Sequence, residues 1–217
     1  MKILIFGDVH GNLPALELLL QKEHNNYDAV ICHGDVVNYG PWSNECVELL
    51  ETLPNSTILK GNHEKNFLLG NYAGNHPVAM AFFDYCYPKF KKALLPVIFK
   101  YPQRYKLNDF IIQHSLNNQY IFLDTDISEV EVDSNFVIGH SHQQFYRKSN
   151  NFQLYNTGSL GQNRTYINKS DYLKYDTVNN AIELKSFIHS IDRVINQMKA
   201  EKYPIICTDY YLSKKRL

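Results

Sequence analysis

Lys2-Ile3-Leu4-Ile5-Phe6-Gly7-Asp8-Val9-His10-Gly11-Asn12 is the stretch on which the reading of this chain turns. The apolar, β-prone run Lys2–Phe6 stops at Gly7-Asp8. Asn12 can then cap a helix that has Pro14 in its first turn and carries Leu16, Leu18, Leu19 and Leu20. The pattern recurs. Ala29–Cys32 is a second apolar run that stops at His33-Gly34-Asp35, and Ser43 is placed to cap a helix with Cys46, Val47, Leu49 and Leu50. A third run, Thr57–Leu59, stops at Gly61-Asn62-His63. Strand, polar loop and helix, repeated, predict parallel strands joined by crossover helices.

The segment from Glu64 to Tyr105 is rich in Phe and Tyr. Pro77 can open a helix through Tyr87, and a further helical turn or two over Lys89–Leu95 is expected to end at Pro96. Residues 65–105 therefore read as a helical insertion, or cap, in a single domain spanning 1–217. From Tyr105 onward the alternating runs Phe110–Gln113, Tyr120–Phe122, Phe136–Ile138, Gln153–Tyr155, Tyr172–Tyr175 and Ala181–Phe187 predict a second, largely antiparallel or mixed sheet. Ile191, Val194, Ile195 and Met198 mark a final amphipathic helix. The fold class is α/β, two sheets flanked by helices.

Charge excludes some functions. Lys+Arg and Asp+Glu both number 22, so the chain has no long-range pull toward nucleic acid or an anionic membrane. Cys32, Cys46, Cys86 and Cys207 are too scattered for a zinc-finger or redox pair, and read as reduced, mostly buried residues. The N-terminal run reaches Asp8 too soon for a signal peptide, and no run is long enough to span a membrane. The expected setting is the cytoplasm.

Metal-competent side chains collect just after the apolar runs. Asp8 and His10 follow the first, Asp35 the second, and Asn62 and His63 the third. His114 follows Phe110–Gln113, and His140 and His142 follow Phe136–Ile138. In α/β sheets the carboxyl ends of strands line the ligand crevice, so residues scattered in sequence can meet there. Imidazoles, two aspartates and an amide oxygen, without thiolate, suit Mn, Fe or Zn. Asp8-x-His10 and His140-x-His142 each put two ligands on one strand end, pointing the same way. A carboxylate such as Asp35 can bridge two cations, which together clamp a phosphoryl group and acidify water. Taken singly, these residues have plainer readings: Asp35 as a turn residue, Asn62 as a helix cap, and His24, His33, His76 and His189 as hydrogen-bonded core residues. Their joint order is what the plain readings leave unexplained.

Gly7-Asp8-Val9-His10-Gly11-Asn12, Gly34-Asp35, Gly61-Asn62-His63-Glu64, His114 and Gly139-His140-Ser141-His142 resemble, in that order, the calcineurin-like metallophosphoesterase superfamily. Gly34–Pro41 and Asn156–Arg164 are similar to a prokaryotic branch of phosphodiesterases and phosphatases. The resemblance implies a four-layer α/β/β/α sandwich of two mixed sheets with a dinuclear metal centre. Asp8, His10, Asp35 and His142 would hold one ion; Asp35, Asn62, His114 and His140 would hold the other. Mn leads the expected metals, with Fe, Zn, Ni or Mg as alternatives. The reaction implied is hydrolysis of a phosphomonoester or phosphodiester: a metal-bridging hydroxide attacks phosphorus, with Asp35 and Asn62 in the catalytic centre and His63 as general acid.

Asn38-Tyr39 stands where the Ser/Thr phosphatases of the superfamily carry Asp-Arg, and Asn66 where they carry Arg. Two bidentate phosphate clamps are thereby lost. Arg164, with backbone N–H groups of Gly158–Gly161, could steady phosphate oxygens or form a surface salt bridge. Phe67, Tyr72, Phe82, Phe83, Tyr85 and Tyr87 could stack on a nucleobase or pack as core. The expected partner is a small phosphorylated substrate, and the insertion could be a lid or a homo-oligomer surface. The rival reading is a non-catalytic binding module on the same fold.

Overall fold

A computed structural model describes residues 1–217 apart from 129, 131 and 150 and the side chain of 149. The first sheet is built around β1 (Lys2–Phe6), which pairs in parallel with β2 (Ala29–Cys32); β2 pairs in parallel with β3 (Ser56–Ile58). Side chains alternate across β1. Ile3 and Ile5 face the second sheet, while Leu4 and Phe6 face the helices, all of them at most 2% exposed. A strand buried on both faces needs an unbroken apolar run, which is why Lys2–Phe6 could be read directly.

The crossover helices lie against this sheet. In α1 (Leu13–Lys22) the Asn12 side chain accepts the Ala15 N–H at 3.2 Å, and Pro14 sits in the first turn. Ser43 behaves differently from its expected role. It is the first residue of α2 (Ser43–Thr52), and its hydroxyl accepts the Asn38 N–H at 3.0 Å instead of capping the helix. That bond fixes the loop after β2. Asn62 likewise lies inside α3 (Asn62–Leu69) and does not cap it; Gly61 holds the cap position.

The insertion continues with α4 (Pro77–Cys86) and α5 (Leu95–Phe99). Pro96 opens α5 and does not end a helix, because its missing N–H costs nothing in a first turn. Phe67, Phe82 and Phe83 are buried in the core beside α6 (Asp192–Ala200) and α7 (Ile205–Leu212). The helix α7 was not foreseen, so α6 is not the last. Its IICTDYYL sequence has no clear polar stripe, and periodicity gives nothing to read.

The second sheet has the order β4 (Arg104–Leu107), β5 (Phe110–Gln113), β6 (Asn135–Ile138), β8 (Phe152–Thr157), β7 (Gln144–Ser149). The strands β5, β6 and β8 run parallel, and the two edges pair antiparallel. Three expected members are absent from it. Strands β9 (Lys169–Asp176) and β10 (Ala181–Ile188) return to the first sheet, β9 antiparallel to β1. Tyr120–Phe122 forms no strand; Ile121 instead turns inward over the outer face of the second sheet, with Leu116, Ile127 and Val132. Residues 115–134 cover that face with turns in place of a helix, among the described residues.

The result is a sandwich of two five-stranded mixed sheets flanked by helices. Between the sheets lie Ile3, Ile5, Ile31, Phe110, Ile112 and Leu173, each contributing about 1.5–3 kcal/mol on burial. Among the described residues no helix is long and apolar enough to cross a membrane, and the four cysteines are free and buried.

Candidate metal centre

The parallel strands of both sheets end at one place. Asp8 and His10 follow β1, Asp35 follows β2, Asn62 and His63 open α3 after β3, His114 follows β5, and His140 and His142 follow β6. Asp8, His10, Asp35, His140 and His142 all have φ between 48° and 68°, the left-handed region that non-glycine residues seldom adopt. Strand alternation therefore does not aim these side chains: Asp8 and His10 share a donor group as expected, but the shared direction expected of His140 and His142 is corrected. His140 and His142 in fact enter different donor groups. Each left-handed residue costs about 1–2 kcal/mol, which the packed loops must supply. Gly161 shows how tight they are: its N–H bonds to the Asp8 carbonyl, and a Cβ there would strike the carbonyl oxygen of Val9.

The first donor group is Asp8, His10 and His142. His142 Nε2 lies 3.3 Å from Asp8 Oδ1 and 3.2 Å from His10 Nε2, which is 3.7 Å from that same oxygen. The second is Asp35, His114 and His140, with the amide of Asn62. His114 Nε2 lies 2.9 Å from Asn62 Oδ1, 3.1 Å from His140 Nδ1 and 3.2 Å from Asp35 Oδ2. Asp35 Oδ2 is also 3.9 Å from His10 Nε2, so this carboxylate lies between the groups.

Proton accounting shows what such a cluster requires. His142 Nδ1 lies 2.6 Å from the Gln162 carbonyl oxygen, and His10 Nδ1 lies 3.3 Å from that of Val37. A carbonyl only accepts, so each Nδ1 carries the hydrogen and each Nε2 presents a bare lone pair. Those lone pairs face one another and Asp8 Oδ1, which has no hydrogen-bond partner among the described residues. Three buried acceptors aimed at one point repel unless a second proton on an imidazole, or a metal ion in its place, sits among them. Mixed N/O donors without thiolate fit a borderline divalent metal. In the second group, burial favours the neutral imidazole, but the Asp35 carboxylate outweighs it and holds His114 up to about 9. A metal ion would take the place of that proton. Burial, then the charge on His114, pushes His140 down to about 3. Despite their burial, Asp8 and Asp35 are held well below the usual carboxylate range, Asp8 chiefly by His142 and Asp35 by His114.

The supporting residues were mostly not read from sequence. Asn38 Nδ2 lies 3.0 Å from His63 Nδ1, so the partner of this imidazole is an amide. The Glu64 carboxylate accepts the N–H groups of Gly61, Asp35, Val36 and Val37 and ties the β2 loop to α3. The capping pattern Gly-Asn-His-Glu was the available signal, since Glu at that spacing reaches back to the cap. His33 is a buried core histidine, bonded to Thr157 Oγ1 at 2.7 Å and pushed down to about 4 by burial. His189 is buried as well, whereas His24 and His76 are exposed, contrary to the core reading.

Arg164 is exposed, with its guanidinium 4.9 Å from the Tyr120 ring centre. It lines a cavity of about 420 Å³ with Tyr39, Tyr72, Tyr120, Tyr210 and Lys214. The Leu160 and Gly161 N–H groups bond to the Gly7 and Asp8 carbonyls and Gly158 N–H to Asn156 Oδ1, so that loop has no N–H to spare for phosphate at these positions. Of the insertion aromatics, Tyr72 alone lines this cavity; the buried Phe67, Phe82 and Phe83 belong to the core, Tyr85 packs on Tyr203, and Tyr87 stacks on Phe83.

Comparison with known proteins adds an independent line. An uncharacterized protein of Methanocaldococcus jannaschii is 27% identical over 93% of each chain. A metallophosphoesterase from Sphaerobacter thermophilus superposes with a TM-score of 0.81 at 22% identity, covering 98% of both chains. A hypothetical protein from Pyrococcus horikoshii gives 0.85 at 14% identity, covering 97% of both. At those identities the two structures speak for the fold. The profile of the calcineurin-like phosphoesterases matches residues 1–185, and with its clustered His and Asp donors this chain belongs to that family.

Proposed function

We propose that the chain hydrolyses a phosphate ester at a centre of two divalent cations, Mn being the first candidate. Asp8, His10, Asp35 and His142 hold one, and Asp35, Asn62, His114 and His140 the other. The observation that carries this reading is the meeting of His10 Nε2, His142 Nε2 and Asp8 Oδ1, lone pairs that a bound cation reconciles. When bound, the ions supply Lewis-acid charge for the phosphoryl oxygens and acidified water for the attack.

The protein's own groups do the rest. With Asn38 Nδ2 donating to His63 Nδ1, the hydrogen of His63 sits on Nε2, 3.9 Å from Asp35 Oδ2 and directed into the centre. A neutral imidazole does not give up that hydrogen, so as general acid His63 acts as the imidazolium. Its Nδ1–H is then accepted by Asn38 Oδ1, which has no partner among the described residues, once the amide turns over. Asp35 is aligned by the His63 N–H, which bonds its Oδ1 at 2.8 Å and leaves Oδ2 to the ions. Asp8 is treated alike: the His140 N–H holds Oδ2 at 3.0 Å and frees Oδ1. Arg164, at the cavity mouth, meets an anionic part of the substrate.

The test is metal analysis joined to an assay. Purified protein stripped with a chelator and reloaded with Mn²⁺ should take up about two ions per chain and hydrolyse bis(p-nitrophenyl) phosphate or p-nitrophenyl phosphate. Protein that takes up no metal and cleaves neither ester overturns the proposal. His63→Ala should lower turnover by about 10²–10⁴-fold while metal content stays near wild type; parallel loss of metal and activity would make His63 structural.

A further inference from the structure

The centre opens on two sides whose chemistry differs. One opening is the tyrosine-walled cavity. There Tyr120 lies nearly flat on His140, with ring centres 4.0 Å apart and planes 19° from parallel. Tyr39 meets His10 and His63 edge-on at 4.8 Å and 5.2 Å, so the cavity borders both donor groups. Arg164 and Lys214 lie over Tyr120 and Tyr210 at 4.9 Å and 4.4 Å. Burial, and then the charge of Arg164, lowers Lys214, two cations crowded without a counter-ion.

The other opening, about 490 Å³, reaches His114 and is lined by Lys60, Lys65 and Arg104 with the amides of Gln103, Gln113 and Asn117. The Lys60 ammonium is held on the Phe99 carbonyl at 2.8 Å. Among the described residues, none of the five cations pairs with a carboxylate, and no carboxylate lines either cavity. In a chain of zero formal charge, that is a concentration of unpaired positive charge on both sides of one site.

Resting on the phosphoesterase reading, we propose that the substrate spans the centre and is a nucleoside polyphosphate. Its base stacks among the tyrosines, the phosphoryl group to be attacked lies at the donor groups, and the outer phosphates lie on Lys60, Lys65 and Arg104. Flat aromatic walls favour a base. A cavity of about 420 Å³ is of the size that encloses one small ligand, not a strand. Water forms a new P–O bond to the attacked phosphorus, its P–O bond on the nucleoside side breaks, and the departing oxygen takes its proton from His63, which borders Tyr39 and Tyr72 on that side. The products are a nucleoside phosphate and the released phosphate chain.

Calorimetric titration of the Mn²⁺-loaded protein tests this with adenosine 5′-(β,γ-imido)triphosphate, AMP and inorganic triphosphate as probes. The imidotriphosphate should bind at least about tenfold tighter than AMP. Replacing Lys60, Lys65 and Arg104 together by Gln should weaken the imidotriphosphate and inorganic triphosphate about tenfold and leave AMP unchanged, while Tyr120→Ala should weaken AMP and the imidotriphosphate and spare inorganic triphosphate. Should the triple variant fail to fold, Arg104→Gln alone, at an exposed position, carries the same expectation at about threefold. Equal affinity for AMP and the imidotriphosphate, indifference of a folded variant, or tighter binding of a single-stranded RNA than of the imidotriphosphate overturns the proposal. Cleavage of bis(p-nitrophenyl) phosphate in the same preparation separates the levels: with cleavage intact only the substrate assignment falls, and without metal uptake or cleavage the phosphoesterase reading falls too.

Discussion

Glu64 makes its contribution entirely through its two oxygens. Burial, and next the charge of Asp35, pushes its carboxyl up to about 7, while the backbone N–H groups it accepts favour the charged form. Oε1 takes Val36 and Val37; Oε2 takes Asp35 and Gly61. Glu64→Gln turns one of these acceptors into a donor facing N–H groups. We expect a loss of about 1–3 kcal/mol in urea unfolding, with weaker metal uptake because the Asp35 loop is freed. Asn38 acts on a single partner. Asn38→Ala should lower kcat with KM and metal content little changed, and cost about 1 kcal/mol of stability from the lost buried hydrogen bond. A rise in KM alone would mean that Asn38 serves binding and does not position His63.

At the scale of elements, two joints hold helices in place, one beside the centre and one at the far end of α1. In α4, Phe82 is fully buried against Tyr39, Tyr203, Tyr210 and Tyr211, so one ring packs the insertion onto α7 and onto the loop beside His63. Phe82→Ala should cost about 3–5 kcal/mol, seen as a lower urea midpoint at unchanged slope. The second joint ties the end of α1 to β9: Glu23 accepts from Tyr172 at 2.6 Å and Lys174 at 2.8 Å. Burial opposes the charged form, but those two donors prevail and set the Glu23 carboxyl below its ordinary 4.5. A folded-state value below the unfolded one gives stability that is present above the ordinary value and is lost as pH falls through the folded value. Glu23→Gln should therefore cost about 1–3 kcal/mol near neutral pH, and melting curves of the two proteins should converge in acid.

For the whole molecule, ions that bind the folded chain alone must stabilise it. At a free-metal level about a thousandfold above Kd the gain is about 4 kcal/mol, or roughly 8–16 °C in Tm for a chain of this size. Calorimetric scans with Mn²⁺ and with chelator should differ by that order; coincident scans would mean that the donors hold no metal. The same scale explains which elements could be read in advance. Strands β1 and β2 are buried on both faces and announce themselves as apolar runs. Edge strands β4 and β7, RYKL and QFYRKS, face solvent along one side and carry charge, and were passed over. The return of β9 and β10 to the first sheet depends on pairing between residues far apart in the chain, as of Ile3 with Tyr175, which no local pattern encodes.

By itself the sequence determined which metal-competent side chains are present and in what order: Asp8, His10, Asp35, Asn62, His63, His114, His140 and His142, each just after an apolar run. Spacing along the chain and side-chain type are local properties, and they survive without a fold. Only the tertiary structure decided which lone pairs face one another, since hydrogen bonds accepted by Val37, Gln162 and Glu64 and the contact with Asn38 fix the tautomers and the loops. It also gathered Lys60, Lys65 and Arg104 on one side and Tyr39, Tyr120 and Tyr210 on the other. Those residues follow no period or motif, and they are neighbours because two sheets end together.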